Sequence, residues 1–582
     1  MLNPYRQVRF LRPDTILWAP GLRSLELTGV DPVLAPLRTL LPRLRAGQGP
    51  AGPEEMVAYH LLMAQGYLSS EKPCAPWEFD ASTNQAVHLH DSFSPKDLKR
   101  AKPCETQLQC HAFSGDEEQG WVYSFRPGLD PCFHCFLRRW LASLPCQTAL
   151  QAVWSEEVCL RWRPVRPLAE RNRLLRLSAE RPGQALMVQP ATETWLSFLP
   201  RPGCGCCPFP KSVEEKFWCG QELGIVKQVA TWREEAPVVV GAHNGEPLWV
   251  TGTPGYSQGA GCGWSEEVAR GAAVGESLER YAASHVPKGA VWDVAAPGEL
   301  PSLFVDAQYR QTNFPYRKPL AGESLPWLPI TSVTGEHRSR APLNLLLLRR
   351  EGLPGEPNHY PEVSHGLACS KTLKRAIEGG MREVLERDAL TRFWGRLMVG
   401  LAEAREVSIE PAGQDLELTV LEVPCLGDYH CVIVFGRDPQ GRISSGSAVS
   451  ADLDQASEKA KLECHHNRAI RLRWPPSTPT AEIPHSFEEH GEYYWHYPEK
   501  FPWGPLTESL RPSLPQNIQA VPEAYYADLT TEDVAAAGFR VARVLIPGLL
   551  PLPVSHHAWP LGLDRWKGEV GTATPRLPHP FD

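Results

Sequence analysis

"GESLERYAAS", residues 275–284, and "REVLERDAL", residues 382–390, carry one pattern on two separate segments. In the first, Glu276 and Glu279 are followed by Arg280; in the second, Glu383 and Glu386 are followed by Arg387. Residues three apart share a face of a helix, where like charges repel slightly. A bound cation reverses that penalty. Carboxylate oxygens are the hard ligands Mg²⁺ takes, usually one or two per ion, with phosphate oxygens and waters completing the shell. Two such helices facing each other can hold several Mg²⁺ ions and the polyphosphate of a nucleotide. The plainer alternative is a set of solvated surface acids paired with Arg280 and Arg387.

Outward from these pairs the chain reads as helix. Ser265 is a good N-cap, with Glu266 and Glu267 in the first turn. In the second segment Leu373, Ile377, Met381 and Val384 recur at helical spacing. Helices are expected near 265–284, 370–394 and 454–472. The third adds Glu463 and Arg468, and an arginine can clamp phosphate with two N–H groups. "ELGIVKQVATW", "APVVVGA", "EPLWVTG", "APLNLLLL" and "HCVIVFG" read as strands, so residues 213–582 are expected to form a large α+β domain. "GYSQG", Gly255 to Gly259, also satisfies the G-x-S-x-G of a nucleophile elbow, with Ser257 as candidate nucleophile. The elbow needs its helix immediately, and here the helix starts only near Ser265, so a serine hydrolase is disfavoured.

The 582 residues suit several domains, and with 42% hydrophobic and 22% charged residues the chain can bury ordinary cores. No run approaches the roughly 18 apolar residues of a membrane span. The charged start, "MLNPYRQVRFLRPD", lacks an apolar signal segment, which points to a cytoplasmic protein without a membrane partner. A net charge of −8 with no basic tract argues against nucleic acid. The 57 prolines point to many loops and turns. Sixteen cysteines in a chain without a signal segment are not a disulfide framework. Cys132 and Cys135 form one C-x-x-C, and Cys204 and Cys207 another. Two such knuckles can close a tetrahedral Zn²⁺ site that pins loops together. Buried or redox thiols are the alternative, with Cys206 and Cys219 as substitute ligands.

At the N-terminus, "YRQVRFL", "TILWAP" and "SLELTG" read as short strands. Leu37, Leu40, Leu41 and Leu44 follow Pro36 at helical spacing, with Pro42 shortening that helix. A second helix carries Val57, Leu61, Ala64 and Leu68. Three strands and two or three helices suit a winged helix, or a plain structural module. "GWVYSF" and "TWLSFL" read as strands of a middle region.

At the level of motifs, "SEEVARGAAVGESLERY" is similar to the first signature of the YcaO family. "GLACSKTLKRAIEGGMREVLERDA" resembles its second and "ASEKAKLECHHNR" its third, while "LIPGLLPLPVSHHAWPLG" and the proline-rich end "PRLPHPFD" resemble its C-terminal region. The resemblance covers roughly 215–582. It implies ATP and Mg²⁺ binding without a P-loop, and the chain has no G-x-x-x-x-G-K-[ST]. It implies that Glu276, Glu279, Glu383 and Glu386 hold Mg²⁺, that Arg387 contacts phosphate, and that Ser265, Glu463 and Arg468 belong to the nucleotide site. Four departures stand out: Gly261-Cys262-Gly263 where relatives have G-K-G, Ser370-Lys371 for Gly-Asn, Arg375 for an acid, and His466 for glutamine.

The resemblance further implies an ATP-dependent cyclodehydratase that turns Cys, Ser or Thr of a ribosomally made precursor peptide into thiazoline or oxazoline. Residues 1–72 are then a winged-helix element binding the peptide's leader. Residues 73–212 are a vestigial ubiquitin-activating-enzyme-like zinc domain, and 213–582 the YcaO domain. A separate flavin-dependent dehydrogenase and a homodimer are further expected partners. Pro578 and Pro580 of the tail are expected to line the peptide side of the site, with the terminus held by cations, so that losing the tail harms cyclisation more than stability. Thioamide or amidine formation, and a nucleotide-impaired scaffold motivated by Cys262, Lys371 and Arg375, are the alternatives.

Overall fold

The computed structural model describes residues 6–12, 15–20, 25–28, 86–89, 92–93 and 109–114, and then 120–143, 160–161, 168–233, 237–244, 258–294, 323–348, 363–473, 487–514 and 519–581, with isolated gaps and a few single residues besides. It divides into two units: Met1–Lys227 with Gly245–Gly255, and Gln228–Asn244 with Tyr256–Asp582.

In the first unit, β1 (Arg6–Arg12), β2 (Thr15–Pro20) and β3 (Leu25–Thr28) form a three-stranded antiparallel sheet. These match the three strands expected there, while the two helices expected at 36–44 and 53–68 lie outside the described residues. A five-stranded sheet follows. It is built from β4 (Ala86–Leu89), β5 (Gln109–Ser114), β6 (Gly120–Phe125), β7 (Ala185–Val188) and β8 (Glu193–Leu196) in the order β8-β7-β6-β5-β4. Helix α1 (Phe133–Leu141) packs Phe133, Phe136, Leu137 and Trp140 onto Trp121, Tyr123 and Phe125 of β6, with Phe198 closing the cluster. Each buried aromatic contributes ~2–3 kcal/mol through the area it removes from water. Helix α2 (Leu168–Glu180) buries Leu174 against Val122, Leu186 and Val188.

The second unit is α+β. Strand β9 (Val226–Arg233) carries the chain into it and joins β10 (Val238–Asn244) and β11 (Gln258–Gly263) in an antiparallel sheet covered by α3 (Glu266–Ala283). Next come β12 (Val291–Val294), β13 (Ser324–Ser332), β14 (Arg338–Pro342) and β15 (Leu367–Ser370), then α4 (Leu373–Met398). Strands β16 (Arg405–Pro411), β17 (Glu417–Val423), β18 (His430–Arg437) and β19 (Ile443–Ser450) form an antiparallel sheet in sequence order, covered by α5 (Leu453–Arg473). Beyond α6 (Phe487–His496), strands β20 (Tyr525–Asp528) and β21 (Arg540–Leu545) return to the sheet of α4, whose order is β12-β13-β20-β21-β15 with β14 beside β13.

The three long helices stand where sequence periodicity put them. "APLNLLLL" does not behave as the expected strand: β14 ends at Pro342 and Leu343–Leu346 make one helical turn, buried on all sides. A run apolar at every position has no period, so the pattern could not distinguish strand from buried helix.

Candidate functional site

Three strand–helix units build the site. In the first, Ser265 caps α3 by accepting from Val268 N, and Glu276 accepts from the backbone N–H of Ala260 on β11 at 2.7 Å. That approach needs β11 to lie flat on the helix. A Cβ at Gly259 or Gly261 would fall within 2.4 Å of α3 backbone atoms, so both positions require glycine. Arg280 holds the other oxygen of Glu276, its Nε 3.1 Å away. In the second unit, Thr372 caps α4, and Glu383 accepts from Gly366 N at 3.1 Å. Arg387 donates to Glu386 at 2.8 Å and stands 3.7 Å from Glu383. In the third, Glu463 accepts from Ser447 N at 2.8 Å.

These units meet. The Ser447 hydroxyl donates to Glu386 at 2.8 Å, which ties α4 to α5. On the other flank Glu279 and Glu383 face each other. Burial, then the charge of Glu383, pushes the Glu279 carboxyl well above the usual range, and burial lifts Glu383 to about 7 although Arg387 pulls it down. Arg543 of β21, only 2% exposed, faces both. It donates to Val363 O at 2.5 Å, and its Nε has no hydrogen-bond partner. Burial lowers its pKa to about 10, which still leaves it cationic at neutral pH.

This donor set fits Mg²⁺ and a polyphosphate. The half-buried carboxylates of Glu279 and Glu383 repel each other, and Glu386 Oε1 accepts from both Arg387 and Ser447. Among the described residues no three acids or histidines converge on a point, as expected where each ion takes one or two carboxylates and completes its shell with phosphate. Arg468 does not join the group in these contacts; it binds Asp415 at 2.6 Å. The next acid of the second motif, Asp388, is 1% exposed and serves the core, accepting from Arg392, Arg565 and Leu550 N. Sequence reasoning missed Ser447 and Arg543. Nothing local marks either one, since each reaches the acids only through the sheets.

The tail is ordered through Phe581. Trp394 Nε1 donates to Leu577 O at 3.0 Å, Tyr494 to Pro578 O at 2.9 Å and Ser445 to Pro580 O at 2.6 Å. Ser445 and Ser447 alternate along one strand, so Pro580 is anchored two residues from the serine that holds Glu386. His579 stacks on His490 at 4.0 Å, and Phe581 is 2% exposed against Trp394 and Phe435. The tail is therefore part of the core, and its loss must cost stability, contrary to the sequence expectation. Asp582 lies outside the described residues, as does Ser257. Gln258 and Gly259, which follow Ser257, open β11; the strand-to-helix turn of a nucleophile elbow does not follow it.

The four cysteines of the first unit converge. Cys132, Cys135, Cys204 and Cys207 present sulfurs all within 4.8 Å of one another. Four of the edges measure 3.7 Å (Cys132–Cys135), 3.8 Å (Cys132–Cys204 and Cys135–Cys207) and 3.4 Å (Cys204–Cys207). A tetrahedral Zn–S₄ centre has edges of about 3.8 Å. Backbone N–H groups of Cys132 and Arg201 point at Cys207 and Cys135, the outer partners a thiolate centre uses. Cys206 lies 3.4 Å from Cys204, and Cys219 pairs its backbone with Val226 instead.

The residues with this geometry coincide with a family match. Residues 260–550 fit the model of YcaO cyclodehydratases, described as ATP- and Mg²⁺-binding, and the chain belongs to the YcaO family. It is an ATP-dependent enzyme of that cyclodehydratase class. Its fold is similar to that of a heterocyclase solved in complex with substrate and cofactor: TM-score 0.62 and 15% identity, over 98% of this chain and 97% of that one. It is also similar to the heterocyclase TruD, with TM-score 0.51 and 15% identity over 94% of each chain. No curated protein sequence matches significantly. Among the described residues no helix is long and apolar enough to cross a membrane.

Proposed function

We propose that the chain converts Cys, Ser or Thr residues of a ribosomally made precursor peptide into thiazolines or oxazolines. The observation that carries the reading is the meeting of Glu279, Glu383, Glu386 and Glu463, contributed by three strand–helix units, in a member of an ATP- and Mg²⁺-binding cyclodehydratase family. Glu276, Glu279, Glu383, Glu386 and Glu463 would hold Mg²⁺, with Arg387 against phosphate. ATP bound with Mg²⁺ supplies the phosphoryl group that makes the amide oxygen a leaving group.

The peptide brings its own nucleophile: its thiol or hydroxyl adds to the preceding amide carbon, and loss of that oxygen leaves the C=N of the ring. The chain's work is orientation and charge neutralisation. Arg387 and Glu386 form a fixed pair, so the guanidinium is aimed before any ligand arrives. Pro578 and Pro580 are buried and clamped by Tyr494 and Ser445, so they do not line the peptide side as the sequence suggested; their role would be to brace the strand that carries Ser447. Residues 1–72 would bind the leader by adding it as an edge strand, residues 73–212 would hold a structural Zn²⁺ on the cysteine quartet, and an azoline dehydrogenase and a second copy of the chain are the further partners.

The test is mass spectrometry of a candidate precursor peptide incubated with the protein, ATP and Mg²⁺. Loss of one water per modified residue supports the reading. Sulfur gain points to thioamide formation, and an unchanged mass with retained peptide binding to the scaffold.

A further inference from the structure

The third strand–helix unit repeats the spacing of the first position for position, and at one position near the acids the residue type changes the chemistry. Ser265 caps α3 by accepting from Val268 N, and Asp452 caps α5 by accepting from Gln455 N at 2.9 Å. Gly259 lies against Ala273 O and Ser277 N, each 2.4 Å from where its Cβ would be. Gly446 lies against Ala460 O and Cys464 N, at 2.2 and 2.3 Å. Ala260 N donates to Glu276 at 2.7 Å, and Ser447 N to Glu463 at 2.8 Å. Every pair is separated by the same number of residues, so the two helices lie on their strands in one register. The unit of α4 follows the same order, from the Thr372 cap to Glu383.

Three residues beyond the strand-bound glutamate stand Glu279 in α3, Glu386 in α4 and His466 in α5. The side chain at this position faces the site in the first two units, and the common register turns His466 to the same side of α5 as Glu463. Its Nε2 is shielded from solvent. Ser447 binds both Glu386 and Glu463, so carboxylates stand on two walls of the niche between α4 and α5, and the shared register puts His466 on the face of α5 that carries Glu463; its counterpart in α3 is Glu279, an oxygen donor.

We infer that His466 is a nitrogen donor to the divalent cation held between α4 and α5, so that the two cation niches differ in metal preference. This rests on the reading of the acids as cation ligands. Imidazole suits Mn²⁺, Co²⁺ and the later transition ions better than it suits Mg²⁺, whose shell is oxygen.

The test uses the full chain and a methylene-bridged ATP analogue. Wild-type protein is expected to bind the analogue more tightly with Co²⁺ or Mn²⁺ than with Mg²⁺. His466→Gln should lower that preference about tenfold or more, because an amide oxygen replaces the imidazole nitrogen. With Mn²⁺ and protein carrying ¹⁵N-histidine, pulsed electron paramagnetic resonance should show a ¹⁵N coupling that His466→Gln and His466→Asn abolish. Metal-dependent binding with no ¹⁵N coupling and no change in preference overturns the inference and leaves the acidic site standing. No metal-dependent analogue binding at all overturns both.

Discussion

Ser447 and Glu386 are joined at 2.8 Å although they lie on different elements, and the same serine holds Glu463 through its backbone N–H at 2.8 Å. One residue thus sets the spacing of two acids from two helices. Ser447→Ala removes only the hydroxyl. Expected are a loss of about 1–2 kcal/mol in stability and a several-fold weaker Mg²⁺ dependence of nucleotide binding, read by calorimetric titration, with the backbone contact to Glu463 intact.

Glu279 and Glu383 predict opposite effects on stability and activity. Each is half-buried beside the other, and that repulsion destabilises the metal-free fold. Glu279→Gln or Glu383→Gln should raise metal-free stability by about 1 kcal/mol or more and lower ATP turnover about a hundredfold or more. Thermal melts without metal and phosphate-release rates with Mg²⁺ give the two readings; wild-type turnover in both variants would remove the acids from the chemistry.

The same acids fix a pH dependence. Their folded pKa values lie above the unfolded value, with Glu383 at about 7, so the folded chain binds more protons than the unfolded one between about pH 4.5 and 7. Their contribution to metal-free stability is therefore fully present below that window and is lost as pH rises through it. Mg²⁺ must displace those protons, so its affinity should rise across the same window. Calorimetry in buffers of different ionisation enthalpy should show proton release on Mg²⁺ binding at pH 6 and little at pH 8.

For the cysteine quartet the expected outcome is one Zn²⁺ per chain by elemental analysis. Cys132→Ser should abolish it and lower the stability of the first unit. Because Cys132 and Cys135 open α1 under Phe136 and Trp140, the damage should spread into that aromatic cluster and show in near-ultraviolet circular dichroism.

Deleting residues 575–582 removes Phe581 and the carbonyls that Trp394, Tyr494 and Ser445 bind. A buried Phe alone is worth about 3–5 kcal/mol, so the deletion should lower the melting temperature by many degrees along with cyclisation. Phe581→Leu, which keeps most of the apolar volume, should recover much of the stability. A truncated chain that melts like wild type would contradict the packing described here.

The sequence by itself determined what is local: the caps at Ser265 and Thr372, the helices behind them, the glutamate pairs on one face, the C-x-x-C knuckles and the order of the YcaO motifs. Helical period and side-chain spacing are properties of a few adjacent residues, so they are written directly in the chain. Tertiary structure decided how these pieces meet. Arg543 reaches Glu279 and Glu383 because β21 pairs with β15. Ser447 reaches Glu386 because α4 and α5 share strand β19. Phe581 is core because Trp394 and Phe435, far away in sequence, leave a space that it fills. Sheet pairing and packing join residues 61 or more positions apart in these examples, and no local period encodes which strand a helix will cover. For the same reason His466 reads as an isolated histidine in the sequence and as the counterpart of Glu279 once the three helices lie on their strands in one register.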